Sequence, residues 1–149
     1  MSKHIGILLA LTLDLILTAC SVDPNPAYPI LKEIKTQRTT SSEHILDFRN
    51  MADAEWIRVC FFGPYSVNTS QVLGLNWELS DHVSISDESV LTIVFASDTK
   101  VTEYAVNPRS NGDFSRVSGM CFLRKDALFV LDEMGKYIHK IDAVTTLTH

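Results

Sequence analysis

The sequence lacks a surplus of positive charge. It has 13 Lys and Arg residues against 18 Asp and Glu residues, which gives a net charge of −5 at pH 7. Proteins that bind nucleic acid neutralise its phosphates with clustered cations, so this balance excludes nucleic acid as an expected partner. The chain also lacks a run of about 20 apolar residues, and we therefore expect no permanent membrane-spanning helix.

Motifs for catalysis and metal binding are missing as well. The histidines at 44, 82 and 139 have no Cys or His partner at metal-ligand spacing, so no metal site is predicted. No Gly-x-Ser-x-Gly elbow, phosphate loop or dinucleotide fingerprint occurs. The sequence therefore indicates no catalytic residue and no cofactor, and a non-catalytic role is favoured.

The N-terminus has the parts of a secretory signal. A short basic start is followed by an apolar run over residues 5–18, which Asp14 interrupts, and then by Leu17-Thr18-Ala19-Cys20. The alternative is a buried N-terminal helix of a cytosolic protein. Prolines at 24 and 26 disfavour it, because they stop a helix there. The tetrapeptide at 17–20 resembles the lipobox of bacterial lipoproteins.

The lipobox resemblance implies a processing pathway. A diacylglycerol thioether forms on the Cys20 thiol, cleavage removes a signal peptide of residues 1–19, and acylated Cys20 holds the protein in membrane lipid. In Gram-negative lipoproteins an Asp after the cysteine favours the inner membrane, whereas Ser21 here points to the outer membrane. We therefore expect a lipid-anchored protein of the bacterial cell envelope, and in a Gram-negative host one on the periplasmic face of the outer membrane.

Composition divides the rest of the chain into a linker and a domain. Of seven Phe, four Tyr and two Trp residues, only Tyr28 precedes residue 48. Aromatic side chains contribute much of the buried area in small cores. We therefore expect a lipidated N-terminus and flexible linker over residues 20–43, a globular domain over 44–142 that folds without the linker, and a frayed tail over 143–149.

Within the domain, the apolar pattern has mostly period two. Strong strands are predicted at 56–62 and 90–96, and a short helix that ends near Gly74 lies between them. Residues 45–48 favour a short edge strand, although Thr40 and Glu43 would also suit a helix start. Further strands are predicted at 101–106, 119–123, 127–131 and 136–141. The predicted fold class is α+β, a small and mostly antiparallel sheet with one or two short helices.

A second resemblance lies in residues 56–65, Trp-Ile-Arg-Val-Cys-Phe-Phe-Gly-Pro-Tyr. It is similar to a segment of small uncharacterised envelope lipoproteins in which a Trp-Asp pair opens an apolar strand that ends in Pro-Tyr. A later strand of that family ends at Pro-Arg, as at Pro108-Arg109 here, while Ile57 departs from the family's Asp. The resemblance implies the same fold and location, and it implies no established activity.

Trp56, Tyr65 and Arg109 are the binding candidates at these motifs. Packing is the expected role of the two aromatic residues. The alternative is a surface site beside the strand-to-helix turn, where backbone amides could meet an anion. The favoured function is non-catalytic binding of an envelope protein or component. A small-molecule or ion-binding lipoprotein and a hydrolase without a recognisable motif are the alternatives.

Cysteine is scarce and odd in number. Lipidation of Cys20 leaves Cys60 and Cys121, which both lie in apolar strands. The compartment beyond the inner membrane is oxidising, which favours a bridge between them. A bridge requires that the two Cα atoms lie within about 7 Å. Two buried free thiols are the alternative, because one sequence does not show whether the strands are adjacent.

Overall fold

The part of the chain that the structure describes, residues 27–52 and 55–140, forms two helices and seven strands in this computed structural model. The helices are α1 (Ala27–Thr40) and α2 (Thr69–Leu73). The strands are β1 (Ile45–Asp47), β2 (Arg58–Phe62), β3 (Val90–Ala96), β4 (Val101–Pro108), β5 (Met120–Leu123), β6 (Leu128–Leu131) and β7 (Tyr137–His139). The predicted α+β class is confirmed.

The strands form two antiparallel sheets. The larger sheet has the order β4-β3-β2-β5 and the smaller one the order β1-β6-β7. A tight turn joins β3 to β4, in which the Ser97 amide donates to the Lys100 carbonyl at 2.9 Å. β2 ends at Gly63-Pro64, because proline lacks the amide hydrogen that a ladder needs. Residues 45–47 form a strand, as favoured, rather than a helix start.

The four-stranded sheet is covered on both faces. Its first face packs against α1 and the smaller sheet, and its buried residues include Val59, Phe61, Leu91, Ile93, Phe95 and Ala105. Its second face packs against α2 and the loop that follows, and its buried residues are Cys60, Phe62, Val94 and Ala96 together with Leu73 and Leu79. The two sets alternate along β2 and β3, as the two-residue period of a strand requires.

Phenylalanine rings fill the first core. The Phe48 ring centroid lies 5.7 Å from those of Phe61 and Phe114 and 5.3 Å from that of Phe129, and all three contacts are edge-to-face. This geometry places the positive edge of one ring against the negative face of the next. Four distant segments of the chain therefore meet at one point, and this cluster joins the two sheets.

The predicted flexible linker is wrong for residues 27–40, which form α1. Ile30 and Ile34 lie one turn apart on the same side of the helix and are 1% and 0% exposed in the first core. Pro29 is tolerated because it stands in the first turn. Gln37 then ties α1 to β1: its Oε1 accepts from the Asp47 amide at 2.7 Å, and its Nε2 donates to the Asp47 carbonyl at 3.1 Å.

The domain boundary therefore moves to the start of α1. The expected boundary at residue 44 is too late, because the preceding helix contributes buried side chains to the same core. The predicted signal peptide over 1–19, Cys20 and the predicted tail over 143–149 lie outside the described residues.

A remote carboxylate caps the start of α2. Asn68 precedes the helix with φ 57° and makes no side-chain capping bond. Glu78 takes that place: one of its oxygens accepts from the Thr69 amide at 3.2 Å and hydroxyl at 2.9 Å, and the other accepts from the Ser70 amide and hydroxyl. The hydrogen bonds from Ser70 and Thr69 hold the pKa of Glu78 below its usual range.

We expect Glu78→Gln to lower the urea midpoint of unfolding at pH 7, because an amide is a weaker acceptor for the α2 donors. The folded pKa of Glu78 is lower than the unfolded one, so this stabilisation is complete above the unfolded pKa and is lost as the pH falls through the folded pKa. The difference between wild type and Glu78→Gln should therefore shrink in acid. Glu43→Gln is the control, and an equal difference at both pH values would contradict the cap.

Candidate functional site

Trp56 is a core residue. It lies just before β2, is 1% exposed, and its Nε1 donates to the Met51 carbonyl at 2.8 Å. Its ring meets the Phe95 ring edge-to-face at 5.1 Å, and the Arg124 guanidinium lies 4.8 Å from its centroid. With one face on the core and its donor satisfied, the indole has the packing role that was expected, and the alternative of a surface site is wrong for this residue.

Tyr65 and Arg109 lie at the opposite end of the four-stranded sheet, where β2 and β4 end. Tyr65 is 60% exposed, so the packing role expected for it is wrong. Its hydroxyl donates to Glu88 at 3.2 Å, a bond that raises the pKa of Tyr65. The Arg109 amide donates to the Ser89 carbonyl at 2.9 Å. The Tyr65 amide donates to the Ile85 carbonyl at 2.6 Å, so it is not available to an anion as the alternative required.

The three candidates therefore do not form one site. Tyr65 and Arg109 both contact the segment 85–89, whereas Trp56 is buried at the far end of β2. The motif spacing suggested a common site because Trp56 and Tyr65 flank one strand. An extended strand separates its ends by about 3.3 Å per residue, so residues at the two ends of a strand lie far apart.

Cys60 and Cys121 are joined by a disulfide bond. They stand directly opposite each other in β2 and β5, with their Cα atoms 4.0 Å apart. The Arg124 amide donates to the Ile57 carbonyl, three residues along the ladder from Cys60. Hydrogen-bonded and non-hydrogen-bonded pairs alternate in an antiparallel ladder, so Cys60 and Cys121 form a non-hydrogen-bonded pair. Side chains are closest at such positions. The bond links the edge strand β5 to the centre of the sheet.

His82 and His139 take part in packing, whereas His44 is exposed. The His82 ring stacks on Trp77 at 4.6 Å. His139 is buried, with its Nε2 at 2.8 Å from the Asp126 carbonyl and its ring 4.6 Å from that of Phe122. Within residues 27–52 and 55–140, no group of three His, Cys, Asp or Glu side chains could hold a metal ion.

A groove of about 390 Å³ lies on the second face of the four-stranded sheet. One wall is the loop after α2, which Gly74 turns by adopting the left-handed conformation at φ 65°. The other wall is the β3–β4 turn and the start of β4. The lining residues are Leu75, Asn76, Trp77, Thr99, Lys100, Val101, Thr102, Glu103 and Tyr104.

Two aromatic rings define the groove. The Trp77 and Tyr104 centroids are 5.9 Å apart, and His82 lies against both rings. This stacking and the packing of both rings against the second core hold the indole in place, and Trp77 remains partly buried. Asn76, Lys100 and Thr102 are among the polar residues of the lining. An aromatic floor with hydrogen-bonding groups around it is the chemistry that a sugar ring requires, because a sugar has an apolar CH face and a rim of hydroxyls.

Sequence reasoning missed this groove. Trp77 and Tyr104 belong to no motif and are brought together only when the loop after α2 folds over β4. The available signal was a tryptophan in a polar loop directly after a helix-ending glycine.

Comparison with protein-family models, with curated proteins and with solved structures finds no match for this chain. The similarity to small envelope lipoproteins therefore stays a prediction, and the function has to be argued from this molecule. Within the described residues, no helix is both long enough and apolar enough to cross a membrane.

Proposed function

We propose that this chain is a bacterial envelope lipoprotein, acylated at Cys20, whose domain binds a carbohydrate component of the envelope without catalysis. The Cys60–Cys121 bond supports the location, because disulfides persist in the oxidising compartments outside the cytosol. That bond also uses both cysteines of the domain. Cys20, the third cysteine in the sequence, is then the thiol left for the lipid.

The aromatic groove is the observation that favours carbohydrate over other ligands. It is only partly enclosed, as suits a segment of an extended chain better than a fully enclosed small molecule. Trp77, which stacks one face on His82, and Tyr104 line the groove. Asn76 and the Thr102 hydroxyl, which donates to the Phe95 carbonyl and can still accept, lie beside them. Both the envelope location and the groove are consistent with a glycan of the cell wall or cell surface as the ligand.

We expect Trp77→Ala to weaken binding of envelope oligosaccharides at least about fivefold, because truncating a central aromatic contact costs about 1 kcal/mol or more. Titration calorimetry with peptidoglycan fragments and with lipopolysaccharide core oligosaccharide measures this. Tyr65→Ala is the matched control, since Tyr65 is an exposed aromatic residue outside the groove. Equal affinities for wild type and Trp77→Ala, or no binding by wild type, would contradict the proposal.

A protein partner at the edge of the sheet is the second candidate. β5 pairs only with β2 among the described strands, and it exposes Met120 and Leu123 by 47% and 51%. An edge strand with apolar side chains is a template for strand addition. Crosslinking in intact envelopes separates the two candidates. If a protein crosslinks to wild type and to Trp77→Ala but not to Leu123→Lys, the result would favour a protein partner at β5 over a ligand in the groove.

A further inference from the structure

We propose that the exposed side of α1 docks on the anionic lipid surface in which Cys20 is anchored. This inference rests on the proposed lipid anchor and adds an orientation to it. In this arrangement the domain contacts the membrane surface through α1.

The helix is divided into a core side and an outer side. Ile30 and Ile34 face the core and are buried. Tyr28, Lys32 and Lys35 follow each other at spacings of four and three residues, so they form one stripe on the opposite side of a helix with 3.6 residues per turn. All three are exposed. Tyrosine and lysine are the residues that favour the headgroup region of a bilayer.

The charge of α1 is opposite to that of the whole chain. Lys32, Lys35 and Arg38 outnumber Glu33, the one acid in the helix, whereas the chain as a whole has a net charge of −5. The cations of α1 are thus gathered on an otherwise acidic protein. Anionic lipids attract basic segments that are held near the surface, so electrostatics orient this side of the domain toward the membrane and the acidic remainder away from it.

A basic pocket beside the stripe offers a place for a lipid phosphate. It has a volume of about 360 Å³ and lies between α1 and the turn after β4, lined by Lys35, Arg38, Thr39, Ser110 and Asn111. Arg38 Nη1 donates to the Ser110 carbonyl at 2.7 Å, which holds the guanidinium at the pocket. The Thr39 hydroxyl and both Asn111 amide hydrogens already bond within the protein, so Lys35 and Arg38 are the groups of this pocket that attract a phosphate.

The chain between the anchor and the helix is short. Six residues separate Cys20 from Ala27, the first residue of α1. At no more than about 3.6 Å per residue, the start of α1 cannot lie further than about 25 Å from the Cys20 Cα atom. A helix of 14 residues is itself about 21 Å long. The tether therefore lets the stripe reach the headgroups and limits how far α1 can move from them.

The test uses the mature, acylated protein with Tyr28→Trp as a reporter, in vesicles of phosphatidylethanolamine and phosphatidylglycerol that contain brominated lipid. Emission of the protein without the substitution is subtracted to remove Trp56 and Trp77. We expect quenching at position 28 to exceed that in phosphatidylcholine vesicles at least about twofold. Lys32→Glu in the reporter protein should reduce it to the phosphatidylcholine level. Lys125→Glu, a reversal of an exposed charge away from α1, should leave it unchanged.

Flotation of the same vesicles separates this inference from the anchor. Protein that floats, but whose position 28 is quenched equally in both lipids or is insensitive to Lys32→Glu, would overturn the docking and leave the anchor standing. Protein that does not float would overturn the anchor and the docking with it.

Discussion

Replacing Ile30 and Ile34 together by alanine is expected to unfold the domain at 25 °C. Both side chains are fully buried against the first core. An Ile→Ala change in a core costs about 2–5 kcal/mol, so the pair removes roughly 4–10 kcal/mol. Domains of this size have only about 5–15 kcal/mol in total. Circular dichroism during urea titration should show no cooperative transition, or one shifted to a much lower midpoint.

The control for this change is on the same helix. Thr36→Ala replaces an exposed residue of α1 and should change stability by no more than about 0.5 kcal/mol. A chain that begins at Thr40 should resemble the double variant, in contrast to the independent folding that the linker prediction implied. If the double variant unfolds at the same urea concentration as wild type, α1 adds nothing to the stability of the core.

Removing the disulfide with Cys60→Ala and Cys121→Ala is expected to lower the free energy of unfolding by about 4 kcal/mol. The two residues are 61 positions apart, and a cross-link of that loop length restricts the unfolded chain by about this amount in the chain-entropy model. Urea titration of the variant measures this loss. Wild type reduced with a dithiol should have nearly the same free energy of unfolding as the variant.

Alkylation without reductant tests the same bond in the natural protein. Cys60 and Cys121 should remain unmodified in protein taken from the envelope and become alkylated only after reduction. Two alkylated domain cysteines without reductant would show that the free-thiol alternative holds in the cell.

The strands were the most predictable part of the fold. Residues 90–96 are apolar except Thr92 and include four β-branched residues, and β3 occupies this same range. β2 follows the same rule and ends at the predicted Gly63-Pro64 boundary. In both strands the residues have high β propensity, and the nearly continuous apolar run fits burial on both faces of the sheet. Both strands could therefore be recognised without knowledge of distant contacts.

α1 could not be recognised from its local sequence. Its outer side and its C-terminal half are polar, and prolines at 24, 26 and 29 gave it the composition of a linker. It is held in place by contacts that only the folded chain provides: Ile30 and Ile34 against the sheet, and Gln37 on the backbone of Asp47. Tertiary packing outweighs weak helix propensity in such segments.

Neither the groove nor the disulfide could be derived from spacing. Trp77 and Tyr104 meet across a loop and a strand, and Cys60 meets Cys121 because β5 adds to the side of β2 that β3 leaves open. Strand order is a property of the whole sheet, and a period-two pattern shows which face a residue occupies but not which strand is its neighbour.

The mass of the N-terminal peptide of membrane-extracted protein tests the lipid anchor most directly. We predict a peptide that starts at Cys20 and bears a diacylglycerol thioether, and we predict that Cys20→Ser accumulates as a larger, unprocessed form. A chain that keeps Met1 with an unmodified Cys20, or normal maturation of Cys20→Ser, would contradict the proposed lipoprotein.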